Sequence, residues 1–485
     1  MGDTYAGRMR PVVGFDLDLT LVDSADGIVT TFAEAVRRLR APVDPEAMRP
    51  LIGVPLETAC EELLPAHLVT PAVRSYRELY SSLGVPRTKL LPGAREAVAA
   101  VRAHGGRAVV VSAKIQPAVD AVLDHVGLDV DTAIGGLFGA GKGAALGAHR
   151  AMAHVGDHPG DIVGAHAAKS IAIGVTTGFH DAAALSAAGA DVVLPGLLEF
   201  PHWLDENVLH ARLAVLEERV QAARSLVVAF SGGADSAFLL AACVRALGPD
   251  RVLAATAVSP SLPRRELLAA RRFAEELGVR HLAPRTDEMS RPGYRTNDGD
   301  RCYFCKAELL DVLGPLAESV GFAVVATGTN ADDAAAGFRP GVRAAAERGA
   351  ITPLLDAGLT KAQVREASRR WGLSTWNKPA AACLSSRVAY GLEITPARLA
   401  RVDRAEAALR AVLAAAGVTV RDLRVRDLGD VARIEVDRAL VGPVSALPAA
   451  LAAVRDVGFA AVEVDPLGFR SGAMNELLPE PARFR

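Results

Sequence analysis

The sequence has few cysteines, almost no net charge and no long apolar run, and each absence excludes a class of protein. Five cysteines among 485 residues cannot form the disulfide framework of a secreted domain. The 54 Lys and Arg residues balance 56 Asp and Glu residues, whereas nucleic-acid binders usually carry a basic excess. The sequence contains no run of about 18 uncharged apolar residues, so it predicts no membrane span. We therefore expect a cytoplasmic protein that binds neither nucleic acid nor membrane.

Chain length and the spacing of apolar runs predict an α/β protein of about three domains, at roughly 100–200 residues per domain. Short apolar runs alternate with Ala-rich amphipathic stretches, which is typical of βαβ units with parallel sheets. The predicted strands are residues 12–15, 108–112, 161–164, 226–230, 252–256 and 323–326.

The pattern breaks after residue 194 and again beyond residue 387, and these breaks predict the domain boundaries. We expect doubly wound, Rossmann-like domains over residues 10–200 and 212–390, followed by a small α+β domain over residues 391–485. The second series opens with a helix over residues 212–224. In the last domain, a helix over residues 396–415 precedes strands over residues 418–425 and 432–436.

Two aspartates, Asp16 and Asp18, follow the first predicted strand, at the strand end where open α/β sheets bind ligands. Paired carboxylates repel each other unless a cation joins them, so they predict a Mg²⁺ site. An aspartate can also attack a phosphoryl group while its neighbour moves a proton. Further along the chain come a hydroxyl, an amine and two more carboxylates: Ser112, Lys142, Asp157 and Asp161.

This ordered set resembles the haloacid dehalogenase (HAD) superfamily of phosphatases, in its phosphoglycolate-phosphatase-like branch, over about residues 10–195. The resemblance implies that Asp16 is the nucleophile, that Asp18 is the general acid and base, and that a helical cap covers about residues 24–90. Ser112 and Lys142 would contact the phosphate. The implied Mg²⁺ ligands are Asp16, Asp18, Asp157 and Asp161. Lys142 lies in a Gly-rich segment rather than the Lys-Pro pattern of that branch, so the resemblance does not predict the substrate.

A second glycine-rich loop follows the strand predicted at residues 226–230. In this loop Gly232 and Gly233 let backbone N–H groups surround an anion at a helix N-terminus, with Ser231 and Ser236 at the two ends. The loop resembles that of the PP-loop ATP pyrophosphatases, which form adenylates and release pyrophosphate. The resemblance implies that Asp235 serves a Mg²⁺–pyrophosphate. Two residues of the run 327–333 fit the same ATP site: Thr329 and Asp332.

Three cysteines outside the predicted cores are candidates for sulfur chemistry. Cys302 and Cys305 form a CxxC motif, and Cys383 lies far from them in the sequence. Redox, zinc and iron–sulfur sites all use CxxC, and two structural thiols are the alternative. Three cysteines without a fourth protein ligand favour a 4Fe–4S cluster with one open iron over a closed zinc site.

The PP-loop and nine further motifs together resemble the ATP-dependent sacrificial sulfur transferase (LarE) family over about residues 212–478. The motifs lie at residues 259–266, 300–302, 327–333, 339–341, 359–361, 378–387, 424–426, 432–435 and 470–475. The resemblance implies a small-molecule substrate, pyridinium-3,5-biscarboxylic acid mononucleotide. One of its carboxylates would be adenylated and converted to a thiocarboxylate, for the nickel-pincer nucleotide cofactor of lactate racemase.

The family has two sulfur sources, and the cysteines discriminate between them. One branch donates the sulfur of a single cysteine, which matches Cys383, and leaves dehydroalanine. The other branch binds a 4Fe–4S cluster through three cysteines and transfers a sulfide from the open iron. Because Cys302, Cys305 and Cys383 are all present, we favour the cluster branch.

Arginines suit a substrate with a phosphate and carboxylates, because guanidinium groups pair with both in bidentate fashion. The predicted substrate-binding residues are Ser386, Arg387, Glu406, Arg424, Arg426, Glu435 and Arg470. A tRNA thiolase or another adenylating synthetase of the PP-loop class is the alternative function, and the net charge of −2 argues against the thiolase. A homo-oligomer is compatible with the sequence, as is a first domain that acts only as a scaffold.

Overall fold

The computed structural model describes residues 10–335, 340–379, 382–470 and 474. It consists of two compact units, one ending at Val208 and the other beginning at Leu209. The mixed α/β fold with parallel sheets is confirmed. A separate domain over residues 391–485 stays a prediction. Within the described ranges, no helix combines the length and the apolarity needed to cross a bilayer.

The first unit is built on a parallel six-stranded sheet of order β5-β4-β1-β6-β7-β8. Its strands are β1 (Val12–Phe15), β4 (Arg107–Val111), β5 (Thr132–Ile134), β6 (Ala153–Gly156), β7 (Ile171–Val175) and β8 (Val192–Leu194). The central strands are apolar and almost wholly buried, as expected of parallel strands covered on both faces. Between them run α4 (Ala94–Ala103), α5 (Gln116–Val126), α6 (Ala140–Ala148), α7 (Pro159–Ala167) and α8 (Ala182–Ala187).

A helical insertion follows β1. It comprises α1 (Ala25–Arg38), α2 (Leu56–Leu63), α3 (Ala66–Leu83) and the 3₁₀ helices Pro45–Leu51 and Val85–Arg87. The short antiparallel strands β2 (Val22–Asp23) and β3 (Lys89–Leu90) join its two ends. Apolar side chains of this insertion, such as Phe32 and Tyr76, share one hydrophobic core with Phe15 of β1.

The strand predicted at residues 161–164 is wrong, because these residues lie in α7. His158 and Asp161 form a capping box around the start of this helix, and Pro159 occupies its first turn. The strand of this βα unit is β6, which ends just before Asp157. The helix predicted at residues 212–224 begins earlier, since α9 runs over Phe200–Ala223.

The second unit contains a parallel four-stranded sheet of order β11-β10-β9-β12. Its strands are β9 (Leu226–Ala229), β10 (Val252–Ala255), β11 (His281–Leu282) and β12 (Val324–Thr327). Because β9 and β12 are parallel neighbours, the loops that follow them emerge side by side at one sheet edge. The helices are α10 (Ala234–Leu247), α11 (Arg264–Glu276), α12 (Pro292–Arg295), α13 (Arg301–Ser319), α14 (Ala331–Ala335), α15 (Pro340–Glu347), α16 (Pro353–Asp356) and α17 (Lys361–Arg370), with 3₁₀ helices at Pro249–Arg251, Glu288–Ser290 and Leu384–Arg387.

A small three-stranded sheet follows in the same unit. Helix α18 (Pro396–Ala415) packs on β13 (Leu423–Asp427) and β14 (Val431–Val436), which pair antiparallel, and β15 (Ala461–Val464) adds a parallel edge. The remaining elements are the 3₁₀ helix Arg438–Leu440, α19 (Val441–Ser445) and α20 (Pro448–Arg455). The strand predicted at residues 418–425 begins only at Leu423. Gly417, at φ 72°, ends the helix, and the half-buried Val418 and Val420 pack on the core from the connecting loop.

Candidate functional site

Three carboxylates meet at the carboxyl edge of the six-stranded sheet. Asp16 follows β1, Asp157 follows β6, and Asp161 lies in the first turn of α7. One oxygen of each lies within 4.8 Å of the others, and all three side chains are buried. The Asp18 carboxylate instead accepts a hydrogen bond from Ser24 Oγ at 2.6 Å and forms an ion pair with Lys114 Nζ at 3.1 Å. The structure therefore groups three of the four predicted metal ligands, and a metal-binding role of Asp18 stays a prediction.

Lys142 lies between two of these carboxylates. Its Nζ donates to Asp16 Oδ1 and to Asp161 Oδ1, each at 2.6 Å, and its side chain is buried. Burial nevertheless raises the pKa of Asp16 to about 7. Burial, together with Asp16 and Asp161, raises the pKa of Asp157 well above its usual range. Buried carboxylates with such mutual repulsion fit a hard divalent cation such as Mg²⁺.

Ser112 follows β4, the strand beside β1, and is also buried. Its Oγ accepts a hydrogen bond from the Lys114 backbone N–H at 3.2 Å. Lys114 was not among the predicted residues, although a lysine two positions after the predicted Ser112 was a signal for it. Its Nζ lies 4.4 Å from the centroid of the Tyr80 ring, and Asp18 raises its pKa against the effect of burial.

The glycine-rich loop of the second unit borders a cavity of about 340 Å³. Helix α10 begins immediately after this loop, so its positive end faces the cavity. The lining residues include Ser231, Gly233, Asp235, Ser236, Lys306, Gly328, Thr329 and Asp333. Gly328 allows the loop after β12 to approach, because a Cβ there would lie 2.9 Å from the Ser236 backbone. The two loops therefore form one pocket with the size and charge pattern of a nucleotide site.

Two carboxylates and one amine face this cavity. Burial raises the pKa of Asp235, and Asp333 adds to the effect, so a divalent cation would relieve repulsion between them. Asp332, the predicted residue, does not line the cavity, and its carboxylate accepts from the Lys361 N–H at 2.7 Å. Burial lowers the pKa of Lys306, another residue that was not predicted. Its signal was its place directly after the CxxC motif.

The three predicted cysteines share one neighbourhood. Cys302 is exposed, and Cys305 and Cys383 are half-buried. Burial raises the pKa of Cys305, and both Cys383 and Cys302 raise it further. Burial opposes the charge of the Arg301 guanidinium. The nearby thiols of Cys383 and Cys302 nevertheless raise its pKa. Cys302 and Cys383 thus act electrostatically on both Cys305 and the buried Arg301, and such a cation would offset part of the negative charge of thiolates that hold a cluster.

A buried polar network, which we call the brace, connects the CxxC segment to the segment after Cys383. It consists of Tyr294, Asn297 and Arg301. Tyr294 Oη shares a hydrogen bond of 2.5 Å with Ser385 Oγ, and Arg301 donates to the Ser385 carbonyl at 3.1 Å.

Asn297 is the centre of the brace. It is fully buried, at φ 60°, and its side-chain amide donates to the Ala389 and Leu392 carbonyls at 2.8 and 3.0 Å. Arg301 also donates to its side-chain oxygen. The brace therefore fixes the position of Cys383 relative to α13.

The predicted arginines and glutamates form a second buried network. Arg387 Nε donates to Glu406 at 3.0 Å, and Arg426 donates to Glu435 at 2.6 Å. Burial, with Arg387 nearby, lowers the pKa of Arg424 to about 10. The network therefore concentrates positive charge and favours an anionic ligand.

Hydrogen bonds join this arginine network to the cysteine segment, and Lys378 makes a separate contact with the glycine-rich loop. Arg387 donates to the Cys383 carbonyl at 2.9 Å and to Ser386 Oγ at 3.1 Å, and Arg426 donates to the Ser386 carbonyl at 3.0 Å. Lys378 Nζ donates to the Gly232 carbonyl at 2.8 Å. Arg470 is half-buried, beside Phe469, whose ring lies 5.2 Å from the Arg424 guanidinium carbon. Parts of the predicted motifs lie outside the described residues: 339, 380–381, 471–473 and 475.

Comparisons with known proteins match each unit separately. Residues 13–133 match the family of haloacid dehalogenase-like hydrolases, and residues 208–293 match the NAD synthase family. The chain is 41% identical over 256 residues to the uncharacterized protein slr1717 of Synechocystis sp., covering 52% of this chain and 92% of that protein. It is 34% identical over 271 residues to pyridinium-3,5-bisthiocarboxylic acid mononucleotide synthase of Lactiplantibacillus plantarum, covering 56% and 96%. It is 35% identical over 208 residues to the probable phosphatase IndB of Dickeya dadantii, covering 38% and 90%.

Proposed function

We propose two reactions for this chain, which belongs to the LarE sulfur transferase family through its second unit and to the haloacid dehalogenase-like hydrolases through its first. The chain is thus an enzyme that combines a PP-loop unit with a hydrolase unit. The substrates, the metal and the sulfur source are our proposals.

The second unit adenylates a carboxylate of pyridinium-3,5-biscarboxylic acid mononucleotide and replaces an oxygen with sulfur. The carboxylate oxygen attacks the α-phosphorus of ATP, and the bond to pyrophosphate breaks. Sulfur then attacks the acyl carbon, and the C–O bond to AMP breaks. The loop N–H groups bind the leaving pyrophosphate at the start of α10, and Asp235 with Asp333 would hold its Mg²⁺. The network around Arg424 binds the phosphate and carboxylates of the substrate.

The sulfur comes from a 4Fe–4S cluster, which Cys302, Cys305 and Cys383 would hold. When bound, such a cluster supplies an open iron that carries a sulfide. The chain itself fixes the geometry, because the brace holds the Cys383 segment against α13. An acyl adenylate hydrolyses readily, so a short distance between sulfur and adenylate favours transfer over loss to water.

One observation supports this assignment most directly. Helix α13 carries Cys302 and Cys305, and the next residue, Lys306, lines the nucleotide cavity. On the other side, Lys378 contacts the glycine-rich loop and Arg387 contacts the Cys383 carbonyl. The nucleotide, the sulfur and the anion-binding arginines are thus adjacent within one unit.

The test is anaerobic purification followed by iron and sulfide analysis and by turnover with ATP, sulfide and the mononucleotide. We expect one cluster per chain, AMP and pyrophosphate as products, and more than one sulfur transferred per chain. Cys383→Ala should abolish cluster binding and transfer, and the control Cys60→Ala, at a buried thiol of the first unit, should change neither.

Two results would contradict parts of the proposal. A chain lighter by the mass of H₂S after reaction, with no iron bound, would show that Cys383 is sacrificed and that the cluster is absent. If the mononucleotide produces no AMP and pyrophosphate at all, the adenylation itself is excluded.

The first unit hydrolyses a phosphomonoester with Mg²⁺. Asp16 attacks phosphorus, the bond to the alcohol oxygen breaks, and Asp18 protonates that oxygen as it leaves. Water then attacks the aspartyl phosphate, and Asp18 accepts its proton as phosphate is released. Bound Mg²⁺ would neutralise charge on the transferring group. Lys142 contributes through its contact with Asp16, which orients the nucleophile and favours its ionised form.

A screen of phosphomonoesters with and without Mg²⁺ tests this activity. Asp16→Asn should abolish turnover, because an amide is a poor nucleophile at nearly the same volume. The control Asp181→Asn should retain full activity, since Asp181 caps α8 by accepting a hydrogen bond from Ala184 N and asparagine caps a helix equally well. Equal activity of Asp16→Asn and the wild type would exclude the proposal.

A further inference from the structure

The first unit contains a cavity of about 130 Å³, which lies between the helical insertion and the carboxyl edge of the sheet. Asp18 and Lys114 border it, whereas Asp16, Asp157 and Asp161 do not. We propose that this cavity binds the alcohol portion of the substrate and that the hydrolase unit acts on phosphomonoesters of small, uncharged, apolar alcohols. This inference rests on the phosphatase activity proposed above and names its substrate class.

The position of Asp18 assigns the cavity to the leaving group. The phosphoryl group must reach Asp16, which lies with the other two carboxylates outside the cavity. When the P–O bond breaks, the proton passes from Asp18 to the ester oxygen. The alcohol carrying that oxygen must therefore be beside Asp18, and the cavity is the space next to it.

Aromatic and aliphatic side chains form most of the cavity walls. Tyr76 and Tyr80 stack with ring centroids 5.5 Å apart, and aliphatic side chains close the other sides. The aliphatic lining includes Ile28, Met48, Leu51, Ile52, Val54 and Leu56. Three of these, Ile28, Met48 and Ile52, are buried and belong to the hydrophobic core. An apolar group entering here loses contact with water on most of its surface, which favours binding.

The charged residues at the cavity already pair with each other. Lys114 contacts Asp18 at 3.1 Å, and Arg77 contacts Glu57 at 2.5 Å. Arg77 and Glu57 balance each other, and Lys114 holds the carboxyl group of Asp18, so a second anionic group on the substrate would have to draw Lys114 away from the proton donor. The cavity therefore disfavours phosphoglycolate, whose carboxylate would occupy this space.

The experiment compares three substrates whose leaving groups are all primary alkoxides: benzyl phosphate, glycerol 1-phosphate and phosphoglycolate. Similar leaving groups make the comparison report on binding of the alcohol rather than on intrinsic reactivity. We expect kcat/KM for benzyl phosphate to exceed both others at least about tenfold, which is the effect of a few buried carbons.

Val54→Lys should reverse the preference, because it places a cation at the half-buried edge of the lining, where the ammonium can still reach water. The matched control Val54→Leu should keep the preference of the wild type. Thermal melting of each variant shows that it folds. If Val54→Lys does not fold, inhibition of the wild type by benzylphosphonate and by phosphonoacetate gives the same comparison, and we expect the former to bind more tightly.

The outcomes separate this inference from the phosphatase proposal. Faster turnover of phosphoglycolate or glycerol 1-phosphate than of benzyl phosphate, or tighter binding of phosphonoacetate, overturns the substrate class and leaves the phosphatase intact. No Mg²⁺-dependent turnover of these esters or of acetyl phosphate, above the level of Asp16→Asn, overturns both.

Discussion

Asn297→Gly tests whether the brace holds the cysteine segment in place. Glycine adopts the left-handed backbone at φ 60° without strain, so the change removes the side chain and leaves the turn intact. Asn297 loses its bonds to the Ala389 and Leu392 carbonyls at 2.8 and 3.0 Å, in a fully buried site, and Arg301 loses its bond to the Asn297 side-chain oxygen. The segment over residues 384–392 should then open more readily.

The magnitude follows from these contacts. The bond to the Ala389 carbonyl contributes about 1 kcal/mol, because that carbonyl keeps the Leu392 N–H as a donor, and the Leu392 carbonyl left buried without a partner costs about 1–3 kcal/mol. We expect the free energy of opening this segment to fall by about 2–4 kcal/mol. Since about 1.4 kcal/mol corresponds to a tenfold change, the opening constant should rise roughly 30-fold to several hundred-fold.

Hydrogen exchange measured by mass spectrometry reports this change at two protected amides. Leu384 N donates to the Ser261 carbonyl and Ala389 N to the Asp427 carbonyl, so both should exchange faster in the variant. The control Asn207→Ala removes a side-chain amide that donates to Trp203 O within helix α9, and should leave these amides unchanged. Unchanged exchange over residues 384–392 in Asn297→Gly would refute the role of the brace.

Three further predictions concern the second unit. Lys306→Met should raise KM for ATP about tenfold in an AMP-release assay, because the phosphate loses a charged contact, and the iron content should stay constant. An unchanged KM would contradict this role of Lys306. In the wild type, affinity for the mononucleotide should fall as pH rises through about 10, because Arg424 loses its charge there. We expect Arg424→Met to bind the mononucleotide at least about tenfold more weakly at pH 7 and to show no further loss of affinity near pH 10, as measured by titration calorimetry. If the affinity of the variant falls with pH in the same way as that of the wild type, Arg424 is not an anion ligand. Gly328→Ala places a Cβ 2.9 Å from the Ser236 backbone and should cost about 1–3 kcal/mol, seen as a lower melting temperature and weaker ATP binding; full ATP affinity would show that the two loops can separate freely.

The sequence predicted the sheets well because their strands are short, apolar and almost fully buried. Val12–Phe15 is found as predicted, and the strands predicted from residues 226 and 252 each extend one residue too far. The error at residues 161–164 arose because Ile162 and Val163 form an apolar pair in either a strand or a helix. The capping box that decides for the helix depends on His158, an uncommon capping residue.

Site residues were predictable where a motif carries them and not where distant contacts create them. Asp16, Asp157 and Asp161 converge because each lies at the carboxyl edge of the same sheet, which the order of the motifs implied. Asp332 and Asp333 are adjacent in sequence, and only the orientation of α14 brings Asp333 to the cavity. The brace joins residues between 84 and 95 positions apart, so no local pattern could have indicated it.

Helix α13 has a consequence for how the enzyme is loaded. The same turn carries Cys302 and Cys305 and presents Lys306 to the nucleotide cavity, so a displacement of this turn would move the cysteines and Lys306 together. Thermodynamic reciprocity then applies: whatever factor the sulfur carrier imposes on ATP affinity, ATP imposes on retention of the sulfur carrier. Under the function proposed above, the fraction of enzyme ready for transfer would therefore depend on the concentration of ATP as well as on the supply of iron and sulfide.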